Sequence, residues 1–260
     1  MSSSDVIVDA TGPTAVVTFN RPHARNALTW AMYDALAEAI DLVHTNLAIR
    51  VLVLRAAGDA FAAGTDINQF TDFQSPNDGL AYERRLDAIV DRLEHVRVPT
   101  IAQIHGVAAG GGCILALSCD LRVCSPQAQF GVPIARTLGN CLSAANCARL
   151  VDLIGPARTK DLLMTGRLID VHEATALGLV TRVAERAALD AAVDDIVATL
   201  AANAPLTINA TRETLRRLAE HRRLPAGAID DLIAACYGSH DFREGVAAFR
   251  DKRKPRFEGS

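Results

Sequence analysis

The alternation of apolar and polar residues predicts short strands and amphipathic helices through the first half of the chain. Short runs of β-branched residues predict strands, and apolar residues that recur about every 3.6 positions predict helices. The runs at 51–54 and 100–104 are largely apolar, which is typical of strands buried on both faces of a parallel sheet. This order predicts the α/β fold class. The predicted strands lie at 6–8, 15–19, 51–54, 100–104 and 121–124, and the predicted helices at 29–43, 79–96 and from about Gly111.

The second half of the chain has a different pattern, because strands nearly stop at about Ala157. One strand is predicted at 179–183, between helices at 187–203, 206–219 and 242–250. No linker rich in Gly or Ser separates the two halves, so the helical part should pack on the core or on a neighbouring molecule. We therefore expect a core over residues 1–200 and a helical region for oligomerisation over residues 201–260.

Composition and charge narrow the class of protein. With 260 residues, half of them apolar, the chain is long enough to bury one substantial core. The net charge of -3 and pI of about 6.2 provide no basic field for nucleic acid or an anionic membrane. The start of the sequence lacks the basic and apolar regions of a secretion signal, and no later apolar run reaches membrane-spanning length. We expect a cytoplasmic protein that binds small molecules or copies of itself.

Six cysteines show no CxxC pair and no histidine at zinc-finger spacing. We therefore expect neither a structural metal nor a disulfide framework. Cys113, Cys119 and Cys124 each lie in an apolar segment, so we interpret them as small buried hydrophobic residues.

Two glycine-containing segments follow predicted strands and have the composition of ligand-binding loops. In the first, AFAAGTDI at 60–67, small residues and one glycine allow a ligand to approach the backbone, and Asp66 is placed to begin a helix. Alone, it would be interpreted as an ordinary loop. In the second, at 107–117, three consecutive glycines at a helix start indicate free N–H groups facing an oxyanion. A dinucleotide site is the competing interpretation, but the spacing is not GxGxxG.

These two segments, together with several others in the same order, resemble the enoyl-CoA hydratase/isomerase, or crotonase, family over nearly the whole chain. The resemblance implies a crotonase-like superhelix of repeated ββα units, with a helical C-terminal region used in forming homotrimers and often hexamers. The segments that carry it are 18–22 (TFNRP), 26–28 (NAL), 60–67, 107–117, 128–133 (AQFGVP), 163–167 (LMTGR), 176–180 (ALGLV) and 241–255.

The resemblance also implies an acyl-CoA thioester as ligand, with coenzyme A entering as part of the substrate and no separate cofactor. The thioester oxygen would be bound by the backbone N–H groups of Thr65 and Gly111, which form an oxyanion hole for a developing enolate. Residues expected along the coenzyme are Arg25, Ala63, Asp66 and Ile67. For Arg25, a solvated surface charge is an equal alternative.

The sequence departs from the family at the two glutamates that hydratases use to activate water. Those positions are Ile114 and Ile134, and no Asp or Glu occurs from 121 to 151. A missing general acid or base typically lowers a rate by about 10² to 10⁴. The sequence therefore predicts an apolar acyl pocket and doubtful conventional hydration.

Other polar residues near the lost glutamates are weaker candidates for new chemistry. Arg136, Asn140 and Cys141 lie in a loop that is one residue longer than usual for the family, and loop structure is the alternative for each. His105 is interpreted as part of a structural turn. Three functions remain open: an enzyme acting on an acyl-CoA, a non-catalytic acyl-CoA carrier or sensor, and a structural oligomer with a vestigial pocket.

Overall fold

Two sheets organise the chain in the computed structural model, which describes residues 5–260. The larger sheet has six strands in the order β1-β2-β3-β5-β7-β10, and the smaller has four in the order β4-β6-β8-β9. The described strands are β1 Val6–Asp9, β2 Thr14–Phe19, β3 Val51–Ala56, β4 Ala60–Ala62, β5 Thr100–Ile104, β6 Val107–Ala109, β7 Leu121–Cys124, β8 Gln129–Gly131, β9 Ile169–Asp170 and β10 Arg182–Val183.

The helices cover the sheets and make up most of the chain after residue 143. They are α1 Trp30–Thr45, α2 Pro76–Glu94, α3 Gly111–Ser118, α4 Ile134–Thr137, α5 Ala144–Thr165, α6 Val171–Ala176, α7 Leu189–Ala202, α8 Pro205–Glu220, α9 Asp230–Gly238 and α10 His240–Arg250. Short 3-10 turns occupy Pro22–Ala24, Ile67–Phe70 and Arg186–Ala188.

A repeated unit explains how the two sheets are related. One strand of the large sheet is followed by one short strand of the small sheet and then by a helix, as in β3–β4–α2 and β5–β6–α3. Strands β2, β3, β5, β7 and β10 pair in parallel, and so do β4, β6 and β8. This confirms the α/β class and the repeated ββα fold.

Most predicted elements are present, and the errors have identifiable causes. Residues 60–62, interpreted as part of a loop, form β4, because a three-residue strand is too short to show alternation. The strand predicted at 179–183 is limited to Arg182–Val183, and β9 was missed for the same reason of length. Helix α2 begins at Pro76 rather than at Gly79, because proline fits the first turn of a helix and Asp78 completes a capping box with Ser75.

Two C-terminal helices pack on the core at places where glycine removes a side chain. At Gly79 on α2, a Cβ atom would lie 2.1 Å from the Tyr237 ring on α9. At Gly245 on α10, a Cβ atom would lie 2.6 Å from the carbonyl oxygen of Leu138. These contacts fix α9 against α2, and α10 against the segment that follows β8.

Helix α8 differs from α9 and α10, because none of its residues is buried. Leu215 and Leu218 are exposed on it, and Leu232 is exposed on α9. Ile233, the neighbour of Leu232 on α9, is buried in the main core. Among residues 5–260, no single helix has the length and apolar composition to cross a membrane, although one bent helix pair, 186–202 with 205–220, does so by those two criteria.

The cysteines of the core behave as small apolar side chains. Cys113, Cys119 and Cys124 are buried, as predicted. Burial raises the pKa of each thiol to about 12, so all three are neutral at physiological pH.

Candidate active site

A small cavity of about 150 Å³ lies where the loops after β4, β6 and β8 meet. No acidic or basic side chain of residues 5–260 belongs to its lining. The lining residues are Ala63, Gly64, Thr65, Ile67, Phe70, Tyr82, Gly110, Gly111, Pro133, Ile134, Thr137, Leu138, Asn140 and Phe249. We call the part around Thr65 and Gly111 the oxyanion end, and the part formed by residues 133–140 the acyl end.

The oxyanion end is built from backbone. The N–H of Leu28 donates to the carbonyl of Gly64 at 2.8 Å, and the N–H of Asp66 donates to the carbonyl of Leu28 at 2.9 Å. These two bonds hold the turn on either side of Thr65, and Gly64 provides the positive φ of 108° that the turn requires. The N–H of Thr65 takes no part in this bridge.

Gly111 brings a second amide to the same place. It is the first residue of α3, so its N–H lies at the positive end of the helix and has no partner within the helix. A Cβ atom at Gly111 would lie 3.8 Å from the Thr65 nitrogen and 2.5 Å from the Tyr33 hydroxyl. The two amides are therefore neighbours at the cavity wall.

Three hydroxyl groups pack beside these amides. The Thr65 Oγ1 atom lies 2.9 Å from the Tyr33 hydroxyl and 2.9 Å from the Tyr82 hydroxyl. Burial raises the pKa of both tyrosines, so both remain neutral. The side chain of Thr65 is thus fixed by two hydrogen bonds, and this fixes the turn that carries its N–H.

The structure places some of the predicted site residues on the cavity wall and others outside it. Thr65, Gly111, Ala63, Ile67 and Ile134 line the cavity together.

Ile114 does not line the cavity; it is 1% exposed and belongs to the main core. The first of the two positions at which the resemblance places a hydratase glutamate therefore faces packed side chains.

The two charged residues expected along the coenzyme also lie outside the lining of the cavity. The Asp66 carboxylate pairs with Arg21 at 2.7 Å and caps the 3-10 turn by accepting from the Asn68 N–H at 3.0 Å. Arg25 is exposed, and its carbonyl accepts from the Ala63 N–H at 3.1 Å. Both residues shape the loop, and the role of Asp66 as a cap agrees with its predicted position before a helical turn.

The acyl end contains a chain of hydrogen bonds that sequence analysis did not find. The Asn140 Nδ2 donates to the Tyr237 hydroxyl at 3.0 Å, and that hydroxyl donates to the Glu83 carboxylate at 2.6 Å. The other Glu83 oxygen accepts from the Ser143 N–H at 3.1 Å. Burial raises the pKa of Glu83 to about 8. Glu83 lies within a regular helix and 60 residues from Ser143, so local patterns carry no signal for this contact.

The remaining candidates lie away from the cavity. Arg136 is exposed, Cys141 is half-buried outside the lining, and His105 lies in the turn between β5 and β6, where its carbonyl accepts from the Ser125 hydroxyl at 3.0 Å.

One group of possible metal ligands occurs on the surface within residues 5–260, namely Asp91, His95 and Glu220. The Arg216 guanidinium donates hydrogen bonds to both His95 and Glu220, so the Arg216 side chain already pairs with two of these three possible ligands.

Comparison with known proteins agrees with this architecture. The profile described as enoyl-CoA hydratase/isomerase matches residues 10–260. The short-chain-enoyl-CoA hydratase of Clostridium acetobutylicum is 31% identical over 256 residues, which cover 98% of this chain and 97% of that protein.

Two solved structures show the same fold. An enoyl-CoA hydratase/carnithine racemase from Magnetospirillum magneticum has a TM-score of 0.80 and 35% identity, covering 100% of this chain and 97% of that one. A methylmalonyl-CoA decarboxylase in complex with 2-nitronate-propionyl-CoA has a TM-score of 0.89 and 29% identity, covering 98% of each chain.

Proposed function

We propose that this chain, which belongs to the enoyl-CoA hydratase/isomerase family, is an enzyme acting on an acyl-CoA. It would bind the acyl-CoA and stabilise the enolate of its thioester. One observation carries the proposal: the amides of Thr65 and Gly111 meet at the wall of one cavity, held by backbone contacts. Two N–H donors aimed at one oxygen stabilise the charge that develops there. The apolar lining strengthens this effect by excluding water.

Conventional hydration is not the reaction that this cavity favours. Hydration requires an acid or base to hold water and transfer its proton, and no lining residue is acidic or basic. Ile134 occupies one of the two expected positions on the cavity wall. We expect hydration of crotonyl-CoA to be at least about a hundredfold slower than in a relative with both glutamates.

Decarboxylation of a malonyl-type CoA is a second candidate, because it forms the enolate without a base. The bond between Cα and the carboxylate breaks, carbon dioxide leaves, and the electron pair passes to Cα and the thioester oxygen; solvent then supplies a proton to Cα. The solved methylmalonyl-CoA decarboxylase supports this candidate. The absence of cationic lining residues also supports it, because an unpaired carboxylate in an apolar cavity is destabilised before reaction.

One assay separates these activities. Purified protein is incubated in turn with crotonyl-CoA and methylmalonyl-CoA, and the acyl-CoA products are separated by chromatography. Formation of propionyl-CoA from methylmalonyl-CoA would support decarboxylation, and hydration at ordinary hydratase rates would contradict the proposed loss of acid–base groups. Calorimetry that shows binding of both ligands without turnover would favour the carrier or sensor. No binding of any acyl-CoA would refute the proposal.

We also propose that the protein forms a homotrimer or hexamer. The exposed leucines of α8 and α9, Leu215, Leu218 and Leu232, would otherwise remain in water. A monomeric mass by light scattering at micromolar concentration would contradict this assembly.

A further inference from the structure

The acyl end holds one buried side-chain atom that lacks a hydrogen-bond partner. It is the Oδ1 atom of Asn140, and Asn140 lines the cavity. Leaving a buried polar atom unpaired typically costs about 1–3 kcal/mol, so such an atom calls for a specific explanation. Two other such atoms occur in residues 5–260, on His105 and Arg223, and neither residue lines this cavity.

The other polar groups of the lining already have partners. The Thr137 hydroxyl donates to the Pro133 carbonyl at 2.8 Å. The hydroxyls of Thr65 and Tyr82 bond to each other. Asn140 is therefore the side chain at the acyl end with unused hydrogen-bonding capacity.

The position of the Asn140 amide is determined by elements outside its own loop. Its Nδ2 bonds to Tyr237, which bonds to Glu83, and these two residues lie on the closely packed helices α9 and α2. The preceding residue, Gly139, has a φ of 74°, and a Cβ atom there would lie 3.3 Å from the Asp241 backbone at the start of α10. The amide is thus oriented by its bond to Tyr237, and its backbone is held close to the start of α10. A polar group fixed in this way beside an apolar cavity is typical of a specificity determinant.

We propose that Asn140 determines acyl-group specificity by forming a hydrogen bond with a hydroxyl substituent on the acyl chain, and that Tyr237 and Glu83 are positioning residues for its amide. This inference rests on the proposed binding of an acyl-CoA. A neutral hydroxyl suits the site because it both donates and accepts, so it pairs with either edge of an amide. A charged substituent would have no counter-charge in the lining and would be destabilised when bound, as proposed above for the carboxylate of a malonyl-type CoA, so a stable bound group is neutral.

Calorimetry with matched ligands tests the proposal. Butyryl-CoA is the apolar reference, and 3-hydroxybutyryl-CoA and 4-hydroxybutyryl-CoA place the hydroxyl at two depths. We expect wild type to bind one hydroxylated ligand about tenfold more tightly than butyryl-CoA, which corresponds to one net hydrogen bond. Asn140→Leu should remove this preference and leave the affinity for butyryl-CoA within about threefold.

Two further variants separate recognition from general damage to the loop. Tyr237→Phe keeps the ring against α2 and removes the hydroxyl, so the preference should fall to about threefold. Arg136→Leu changes an exposed polar residue of the same segment and should keep the full preference.

Each outcome bears on one of the two proposals. Equal affinities for all three ligands in wild type would overturn the role of Asn140 and leave the proposed acyl-CoA binding intact. A preference that survives in Asn140→Leu would also overturn it, whatever Tyr237→Phe shows. If wild type binds none of the three ligands, the proposed function fails and this inference fails with it.

Discussion

The two ends of the cavity are constructed differently. The oxyanion end consists of two main-chain amides held by backbone hydrogen bonds and by glycines that admit close contacts. The acyl end consists of side chains, among them Ile134 and Asn140, on a segment fixed by distant helices. Substitutions leave main-chain donors in place, whereas they change every contact made by side chains. Under the proposed function, this difference would allow the chemistry at the acyl end to change while enolate stabilisation at the oxyanion end is kept.

The largest effect should come from filling the space at Gly111. In Gly111→Ala, the new Cβ atom would lie 2.5 Å from the buried Tyr33 hydroxyl, so the start of α3 must shift. Loss of one oxyanion donor lowers turnover by about a hundredfold to a thousandfold. The measurement is kcat/KM with whichever acyl-CoA the wild type converts, together with the melting temperature.

Gly178→Ala is the control for this change. A Cβ atom at Gly178 has no heavy atom within 4 Å, but its φ of 77° strains any larger residue. It should lower stability by about 1–2 kcal/mol and leave kcat/KM of the folded protein unchanged. Equal kcat/KM for Gly111→Ala and wild type would show that the amide of Gly111 does not stabilise the reaction.

The next effect distinguishes the two positions at which the resemblance places the glutamates of hydratases. Ile134→Glu places a carboxylate on the cavity wall, so hydration of crotonyl-CoA should rise by about tenfold to a hundredfold. Ile114→Glu places a carboxylate in the packed core, so it should lower the melting temperature without comparable gain. The matched assays are loss of the conjugated-thioester absorbance and thermal unfolding. A larger gain from Ile114→Glu would reverse our assignment of the wall position.

This difference between Ile114 and Ile134 also shows the limit of inference from sequence. Both positions were inferred from the resemblance to the family, by their places directly after two of its motifs, and such a place identifies the element without the direction of its side chain. The fold was predictable because buried strands are local features, whereas Thr65 and Gly111 were named from the resemblance to the family and line one cavity in the structure. The chain from Asn140 through Tyr237 to Glu83 was not, because its members are up to 154 residues apart and meet through helix packing.

A smaller effect should come from the side chain beside the oxyanion amide. Thr65→Val keeps the backbone N–H but removes the hydroxyl that bonds to Tyr33 and Tyr82. The two buried tyrosines then lose a partner, the turn loosens, and kcat/KM should fall by about fivefold to tenfold. Thr137→Val is the comparison at the acyl end, where the Thr137 hydroxyl bonds to the Pro133 carbonyl. In this variant kcat/KM should fall by about twofold. A loss in Thr65→Val as large as that in Gly111→Ala would mean that the hydroxyl itself acts in the reaction.

The smallest effect is a pH-dependent preference at the acyl end. An ionised Glu83 only accepts hydrogen bonds, so the Tyr237 hydroxyl donates to it. The Tyr237 oxygen then accepts from Asn140 Nδ2, and Asn140 Oδ1 is left for the ligand. Protonated Glu83 donates to Tyr237, which then donates to Oδ1, so Nδ2 is left for the ligand. Burial raises the pKa of Glu83 to about 8, so the change should occur around this pH.

Other titratable groups around Glu83 must be separated from it. The nearest acid is Asp87, one turn along α2, whose pKa is also raised by burial. Glu83 lies at the wall of a second cavity of about 410 Å³, through which it can exchange protons with solvent. The other titratable groups that interact with Glu83 are Tyr33, Tyr82, Cys141, Cys147 and Tyr237.

A ligand that only accepts hydrogen bonds reveals the change in direction. The ether oxygen of 3-methoxybutyryl-CoA pairs with Asn140 Nδ2 but not with Asn140 Oδ1. The affinity of the protein for this ligand, relative to butyryl-CoA, should therefore fall about threefold between about pH 6.5 and pH 9.5. In Glu83→Gln, the side-chain oxygen accepts from Ser143 and the nitrogen donates to Tyr237 at every pH, so the low-pH preference should persist throughout. If the fall persists in Glu83→Gln and disappears in Asp87→Asn, the titrating group is Asp87 and Glu83 only supports the loop.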